Sequence, residues 1–171
     1  AFLLIPKDRE EPAPGALVFH STSSNNIYQP VGFADEPTRQ LALFLTQRGY
    51  VTLSPRNFIF GYGEKITTET LRRERGGRDW QRASKTLLTV HPDWTGMGKM
   101  VCDGMRALDY LETRPEVDLD RLVCAGHSLG AKQALYLPAF DKRIQAAVSS
   151  EGGVGLELSN WEATWYLGGQ V

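Results

Sequence analysis

The sequence lacks the features that mark several large classes of protein. No apolar run approaches the roughly 20 residues that a membrane-spanning helix needs. Basic and acidic residues nearly balance, at 19 against 20, and the formal net charge of −1 gives no reason to expect nucleic acid or an acidic membrane surface as a partner. No internal repeat or low-complexity segment occurs. These absences favour a single globular domain over residues 1–171.

Cysteine is also scarce, with two residues in the chain. Cys102 falls in a helical pattern and Cys124 in an apolar run, so we expect two reduced core residues and no disulfide framework. The chain begins at Ala1 without a charged segment ahead of an apolar stretch, so a signal peptide, if one existed, has been removed or was never included. A cytoplasmic and a secreted location both stay open.

What the sequence does contain is an alternation of short apolar runs with amphipathic stretches, which is typical of βα units around a parallel sheet. The predicted strands cover residues 2–5, 16–20, 50–53, 121–125 and 144–148. The predicted helices cover residues 37–47, 96–112 and 130–137, and a turn is predicted at 12–15. The helix at 96–112 has the clearest 3.6-residue period, and we expect its three methionines to pack in the core.

Residues 61–90 differ in composition from the rest of the chain. They carry seven Lys or Arg against four Asp or Glu, and Gly76-Gly77 interrupts the pattern. We interpret this segment as a surface excursion with some helix, not as a second domain. It is either a solvated face or a rim that meets an anionic substrate.

The strongest chemical signal is the pentapeptide Gly126-His127-Ser128-Leu129-Gly130. It follows an apolar strand and precedes a predicted helix, which is the context of a nucleophile elbow. Glycines allow strand and helix to approach closely around a strained turn that leaves the serine hydroxyl exposed. This pattern predicts that Ser128 is a nucleophile.

A serine nucleophile also needs donors for the oxyanion. The backbone N–H of Leu129, directly after the nucleophile, predicts one donor. A second donor is expected from the polar loop after the strand that ends at His20, from the N–H of Ser21 or Thr22. The alternative is that this loop is a plain polar connection.

Several longer stretches resemble dienelactone-hydrolase-like and acetyl-xylan-esterase-like members of the α/β-hydrolase superfamily. They are residues 17–22, 48–51, 93–100, 116–130, 139–144 and 148–153. The run Trp-Thr-Gly-Met-Gly at 94–98 is more specific than the elbow, and the resemblance covers nearly the whole chain. It implies an α/β-hydrolase fold, a mostly parallel sheet with helices on both faces. It also implies a serine esterase that uses no cofactor and no metal.

In this fold the triad follows the chain order nucleophile, acid, histidine. The chain ends 43 residues after Ser128 (171 minus 128), which leaves little room for both later strands. His127 neighbours the nucleophile, His20 ends a strand, and His91 lies in an irregular segment. We therefore expect the catalytic histidine beyond residue 171, which makes this sequence a fragment with its C-terminal strands missing. By itself it should be nearly inactive; His20 and His127 remain pocket candidates.

The acid is a candidate within the chain. Glu151 lies 23 residues after Ser128 (151 minus 128), immediately beyond the strand predicted to end at 148. Glucuronoyl esterases resemble this arrangement, since they carry a catalytic glutamate after the corresponding strand. The alternative is a glutamate that binds the backbone at Gly152-Gly153. Trp161 and its aromatic neighbours then either line the mouth of the pocket or pack in the core.

These observations lead to one main functional hypothesis. The protein is expected to be a carboxylic-ester hydrolase that works through an acyl-Ser128 intermediate, with Glu151 or an acid outside the chain orienting the histidine. By resemblance, the substrate is an ester of a carbohydrate or small organic acid. The alternative is a non-catalytic binding module on the same fold, because fold does not dictate function.

Overall fold

The computed structural model describes residues 1–8, 11–23, 25–62 and 80–171. A mixed sheet of five strands runs through it in the order β1-β3-β2-β4-β5. The strands are β1 Phe2–Leu4, β2 Ala13–Phe19, β3 Val51–Ser54, β4 Val117–His127 and β5 Ile144–Ser150. Strand β1 pairs antiparallel with β3, whereas β3, β2, β4 and β5 are mutually parallel. The predicted α/β class is confirmed.

Helices cover both faces of this sheet. They are α1 Leu41–Thr46, α2 Trp80–Val90, α3 Gly96–Glu112 and α4 Leu129–Phe140. On one face α1 packs with Val18 and Ala16 in a small apolar cluster. On the other face α2, α3 and α4 pack in the main core against Leu17 and Leu122. Alternate residues of β2 thus point to opposite faces, and burial of both faces explains its continuous apolar run.

The predicted starts of β2 and β4 were both wrong, for one structural reason. The predicted turn at 12–15 belongs largely to β2, and β4 begins at Val117, not at Arg121. The register jumps from Pro14 opposite Asp118 to Gly15 opposite Leu122, so an irregularity in β4 leaves residues 119–121, with the charged Asp120 and Arg121, out of the pairing. A proline in a strand is tolerated at such a site. In the sequence, the charged residues and the proline do not look like parts of strands. Pro14 and Asp118 are extended because each pairs with the neighbouring strand.

The helix predicted at 96–112 is confirmed at both ends. Thr95 caps it, with its hydroxyl accepting a hydrogen bond from the N–H of Gly98 at 2.9 Å. A Cβ on Gly96 would come within 2.3 Å of the backbone of Trp165, so the glycine permits close packing of the C-terminal segment. Met97 and Met100 are buried in the core, as expected, and Met105 packs against it.

Other expectations fall partly outside the described residues. Of the segment 61–90, residues 63–79 lie outside them; in the described remainder, α2 is helical, as expected, and buries Leu87 in the main core. Both cysteines are free thiols, and burial raises the pKa of Cys124 to about 12. Within the described ranges, no helix has the length and apolarity that crossing a membrane requires.

Strand β5 lies at one edge of the sheet. Its first residue, Ile144, is buried, but the following six are exposed, and Val148 is 62% exposed. Among the described residues no strand pairs with the side of β5 that faces away from β4. Because β2, β4 and β5 are parallel, their carboxyl ends lie at the same end of the sheet. The predicted site residues lie at this end.

Candidate active site

Ser128 forms a sharp turn between β4 and α4. Its backbone has φ 56° and ψ −112°, a region that residues with a side chain rarely adopt. Such a conformation costs of order 1–3 kcal/mol and persists only where the surroundings enforce it. The N–H of Ser128 donates to the carbonyl of Ser150 at 2.9 Å, which fixes the turn to the end of β5. This geometry is that of the nucleophile elbow predicted from the pentapeptide.

The two glycines of the pentapeptide are required by close backbone contacts. A Cβ on Gly126 would lie 2.2 Å from the carbonyl oxygen of Gly130. A Cβ on Gly130 would lie 2.2 Å from the carbonyl oxygen of Phe19 and 2.8 Å from that of His20. The start of α4 thus rests directly on the end of β2. This contact brings the N–H of Leu129 beside the loop that begins at Ser21.

The loop after β2 is held by a network of polar side chains that sequence reasoning missed. The hydroxyl of Ser21 donates to Gln29 Oε1 at 2.8 Å, and Gln29 Nε2 donates to Glu36. Asn25 Nδ2 donates to the same carboxylate at 2.8 Å, and these hydrogen bonds, chiefly that from Asn25, lower the pKa of Glu36. Ser21 is buried and Thr22 half-buried, so their backbone belongs to an ordered loop, not to a loose connection.

His20 is a structural residue of this loop. Its side chain is buried, Nε2 accepts a hydrogen bond from the N–H of Asn57 at 3.0 Å, and Nδ1 therefore donates to the carbonyl of Ser21 at 2.7 Å. Both ring nitrogens are thus occupied by backbone. Burial, opposed in part by the Ser21 hydrogen bond, lowers the pKa of His20 to about 4. A neutral ring with no free nitrogen cannot act as the base.

The low pKa of His20 predicts a loss of stability in mild acid. The unfolded chain binds a proton at His20 near pH 6.5, whereas the folded chain does so only near pH 4, so stability falls as pH decreases between these values. The difference amounts to about 3 kcal/mol. Urea unfolding at pH 7 and at pH 4.5 measures this change in the free energy of unfolding. His20→Asn should flatten this slope and His91→Gln should not; an unchanged slope in His20→Asn contradicts the prediction.

Glu151 stands at the carboxyl end of β5, next to Ser150, whose carbonyl accepts a hydrogen bond from the N–H of Ser128. It adopts a left-handed backbone conformation with φ 58°, and its side chain is 77% exposed. Its Oε2 lies 3.6 Å from Nε2 of His127, whose Nδ1 lies 3.4 Å from the hydroxyl of Ser150. Among the described residues the carboxylate makes no hydrogen bond to Gly152 or Gly153.

A cleft of about 380 Å³ opens between the loop after β2, which begins with His20 and Ser21, and the end of β5. Its lining includes His20, Ser21, His127 and Glu151, so four predicted site residues share one cavity. Trp161 does not line it. That side chain is 0% exposed and packs in the main core, which corrects the pocket assignment in favour of the packing alternative.

The other titratable side chains offer little further chemistry. His91 stacks on Trp94 with ring centroids 4.4 Å apart, so it packs locally instead of facing the cleft. No imidazole in the described ranges is hydrogen-bonded to Ser128. Over those same ranges, His, Cys, Asp and Glu do not form a group of three that could hold a metal ion.

Comparison with known sequences places this arrangement in a class. Residues 1–151 match the Abhydrolase family. Because the match covers most of the chain, the protein belongs to that family. The match includes β1 to β5 and ends at Glu151, so it contains the whole elbow and the candidate acid.

Individual relatives agree with the fold. YtaP, a provisionally named hydrolase of Bacillus subtilis (strain 168), is 28% identical over 154 residues, which are 86% of this chain and 46% of YtaP. A provisionally assigned acetyl xylan esterase from Bacteroides fragilis has a TM-score of 0.66 at 23% identity, covering 83% of this chain and 38% of its own. A glucuronoyl esterase from Caldicellulosiruptor kristjansonii has a TM-score of 0.55 at 16% identity, covering 96% and 46%. The chain spans less than half the length of each, and the resemblance read from the sequence is confirmed.

Proposed function

We propose that the protein is a serine carboxylic-ester hydrolase. The observation that carries the proposal is the backbone of Ser128, which is held at φ 56° between a buried strand and a buried helix. Glycine at this position would relieve the strain, so the presence of serine favours a use for its hydroxyl. The flanking Gly126 and Gly130 fit the turn only because they lack a Cβ.

The reaction follows from the groups around the elbow. Ser128 Oγ attacks the ester carbonyl carbon while a histidine takes its proton. The oxyanion receives hydrogen bonds from the N–H of Leu129, which has no partner inside α4 because it opens the helix, and from the N–H of Ser21 or Thr22. Collapse breaks the bond to the alcohol, which leaves with the proton from the imidazolium. Water then releases the acid from acyl-Ser128.

Glu151 is the acid that this proposal assigns to the histidine. It follows Ser150, whose carbonyl binds the N–H of Ser128, so nucleophile and carboxylate sit at the ends of adjacent parallel strands. The resemblance to glucuronoyl esterases described from the sequence, which implies a glutamate after the corresponding strand, supports the assignment. His20 is bound at both nitrogens and His91 is stacked on Trp94. The proposal therefore assigns the base to a further histidine of the full-length protein, and a substitution at His127 tests the remaining imidazole of this chain.

The proposed substrate is an ester of a carbohydrate or a small organic acid. The cleft beside Ser21 and Glu151 has a volume of about 380 Å³, near the small end of the range for ligand sites. Solved structures with this fold include an acetyl xylan esterase and a glucuronoyl esterase by name. The volume of the cleft favours a small substrate group, and the names of these relatives favour a carbohydrate ester.

A fluorophosphonate probe tests the proposal directly. Applied to the full-length protein, it should label Ser128 covalently and abolish hydrolysis of p-nitrophenyl acetate in proportion to labelling. Ser149 and Ser150 lie in the same region and provide internal controls for the mapped peptide. Labelling elsewhere with Ser128 untouched would refute the nucleophile. An absence of both labelling and hydrolysis would favour the binding-module alternative.

His127→Ala tests whether the imidazole next to Ser128 in the chain is itself the base. Because no hydrogen bond joins His127 to Ser128, the variant should keep labelling and most of the esterase activity. A loss as large as that caused by removing the nucleophile would make His127 itself the base.

A further inference from the structure

Lys132 is an unusual residue in the core of this protein. It lies one turn into α4, is 3% exposed, and its N–H donates to the carbonyl of Ser128 at 3.3 Å. No carboxylate among the described residues lies within ion-pair distance of its ammonium group. A buried lysine without an ion-pair partner is costly; burial lowers its pKa, and the charge of Glu162, which lies beyond ion-pair distance, opposes this only in part. Its retention therefore calls for a structural or functional reason.

The ammonium group of Lys132 binds the segment that follows β5. It donates to the carbonyl oxygen of Gly152 and to the hydroxyl of Ser159. It also lies 4.2 Å from the ring centroid of Trp161 and 5.1 Å from that of Tyr166. Two aromatic faces and two oxygen acceptors thus replace water around the charge. This is the closest chemical substitute for solvation that the core provides.

The same contacts fix the position of Glu151. Gly152 is the next residue, and a Cβ there would lie 2.7 Å from the hydroxyl of Ser149 and 3.0 Å from the Cβ of Ala131, so the backbone is pressed against α4. Trp161 Nε1 donates to the carbonyl of Gly153 at 3.1 Å. The side chain of Glu151 is exposed and its backbone is left-handed, so its own side chain does little to hold it in place. The contacts of Gly152 and Gly153 hold it instead.

We propose that Lys132 is a positioning residue that holds Glu151 beside the nucleophile elbow by clamping the carbonyl of Gly152. One side chain thereby connects the helix that carries Ser128 with the backbone that carries the acid. The inference rests on the proposed function, in which Glu151 orients the histidine. A displacement of about 1 Å in such a constellation costs up to about 100-fold in rate.

Lys132→Met keeps the length of the side chain but removes both hydrogen bonds and the charge. In the full-length protein, kcat for p-nitrophenyl acetate should fall at least about tenfold with KM within about threefold, as expected when positioning is lost. If Lys132 acts through Glu151, the double variant with Glu151→Gln should be no slower than Glu151→Gln alone. Lys142→Met removes an exposed charge, and Leu137→Ala removes apolar contacts deeper in α4; both should retain kcat below their melting temperatures.

Hydrogen exchange gives a readout that does not depend on activity. Amides at 151–153 should exchange faster in Lys132→Met than in the wild type, while those of β2 and β4 stay protected. In an active protein, a loss of kcat below about tenfold in Lys132→Met would overturn the inference. So would a double variant whose loss of kcat equals the product of the losses in Lys132→Met and Glu151→Gln. Unchanged exchange at 151–153 would overturn it even if the wild type proved inactive, an outcome that by itself removes only the proposed esterase function.

Discussion

Replacing Ser128 with alanine is expected to lower kcat for ester hydrolysis by a factor on the order of 10⁶, as removal of the nucleophile does in a well-studied serine protease. The oxyanion donors and the cleft remain, so some catalysis over water persists while the covalent route is lost. Fluorophosphonate labelling should disappear as well. The measurement is steady-state hydrolysis of p-nitrophenyl acetate by the full-length protein, with labelling followed by mass.

Two further substitutions separate chemistry from folding in this experiment. Ser128→Gly should be equally inactive yet melt no lower than the wild type, because glycine adopts φ 56° without the Cβ penalty. Ser150→Ala removes a nearby hydroxyl and should retain activity. If Ser128→Ala keeps wild-type turnover, the elbow is a structural turn, and the protein is better described as a binding module.

Replacing Glu151 with glutamine is expected to cost about 10⁴ in kcat, the loss seen when the acid of a triad becomes an amide. A carboxylate fixes the tautomer of the histidine and stabilises the imidazolium formed during acylation, and an amide of the same shape does neither. Because the side chain is 77% exposed, its replacement should leave the melting temperature near that of the wild type. Kinetics and thermal unfolding of the full-length protein check both parts.

Glu157→Gln is the matched control, since it makes the same change at an exposed residue of the same segment. It should leave kcat unchanged. A kcat within a few-fold of the wild type for Glu151→Gln, together with an essential aspartate after a later strand, would make Glu151 structural. If activity and melting temperature fall together, Glu151 supports the glycine-rich backbone instead.

The nucleophile elbow was predictable because its physics is local. Glycines at 126 and 130 around Ser128, after an apolar strand and before a helix, leave few other conformations for the chain. Helix α3 was predictable for a similar reason, since its apolar period and the cap at Thr95 are read from neighbouring residues. The position of Glu151 followed from the rule that parallel strands end at one edge of the sheet.

Other features depended on partners that are distant in sequence. The start of β4 at Val117 required pairing with Ala13, more than 100 residues earlier, and the charges between hid it. Trp161 was a pocket candidate from its aromatic character, but its burial is decided by Tyr136 and Tyr166 around it. Nothing in the pattern around Lys132 pointed to a buried charge, since a lysine on a helix is ordinarily read as solvent-exposed.

The sequence by itself determined the class of the fold, the strained turn at Ser128 and the end of the sheet at which Glu151 lies, because short-range sterics and hydrophobic periodicity dictate them. Only the tertiary structure decided how that edge is supported. Glu36 accepts hydrogen bonds that hold the loop after Ser21 in place. Burial keeps His20 neutral, and Lys132 binds the backbone beside Glu151. These roles arise from desolvation and from hydrogen bonds between segments that the fold alone brings together.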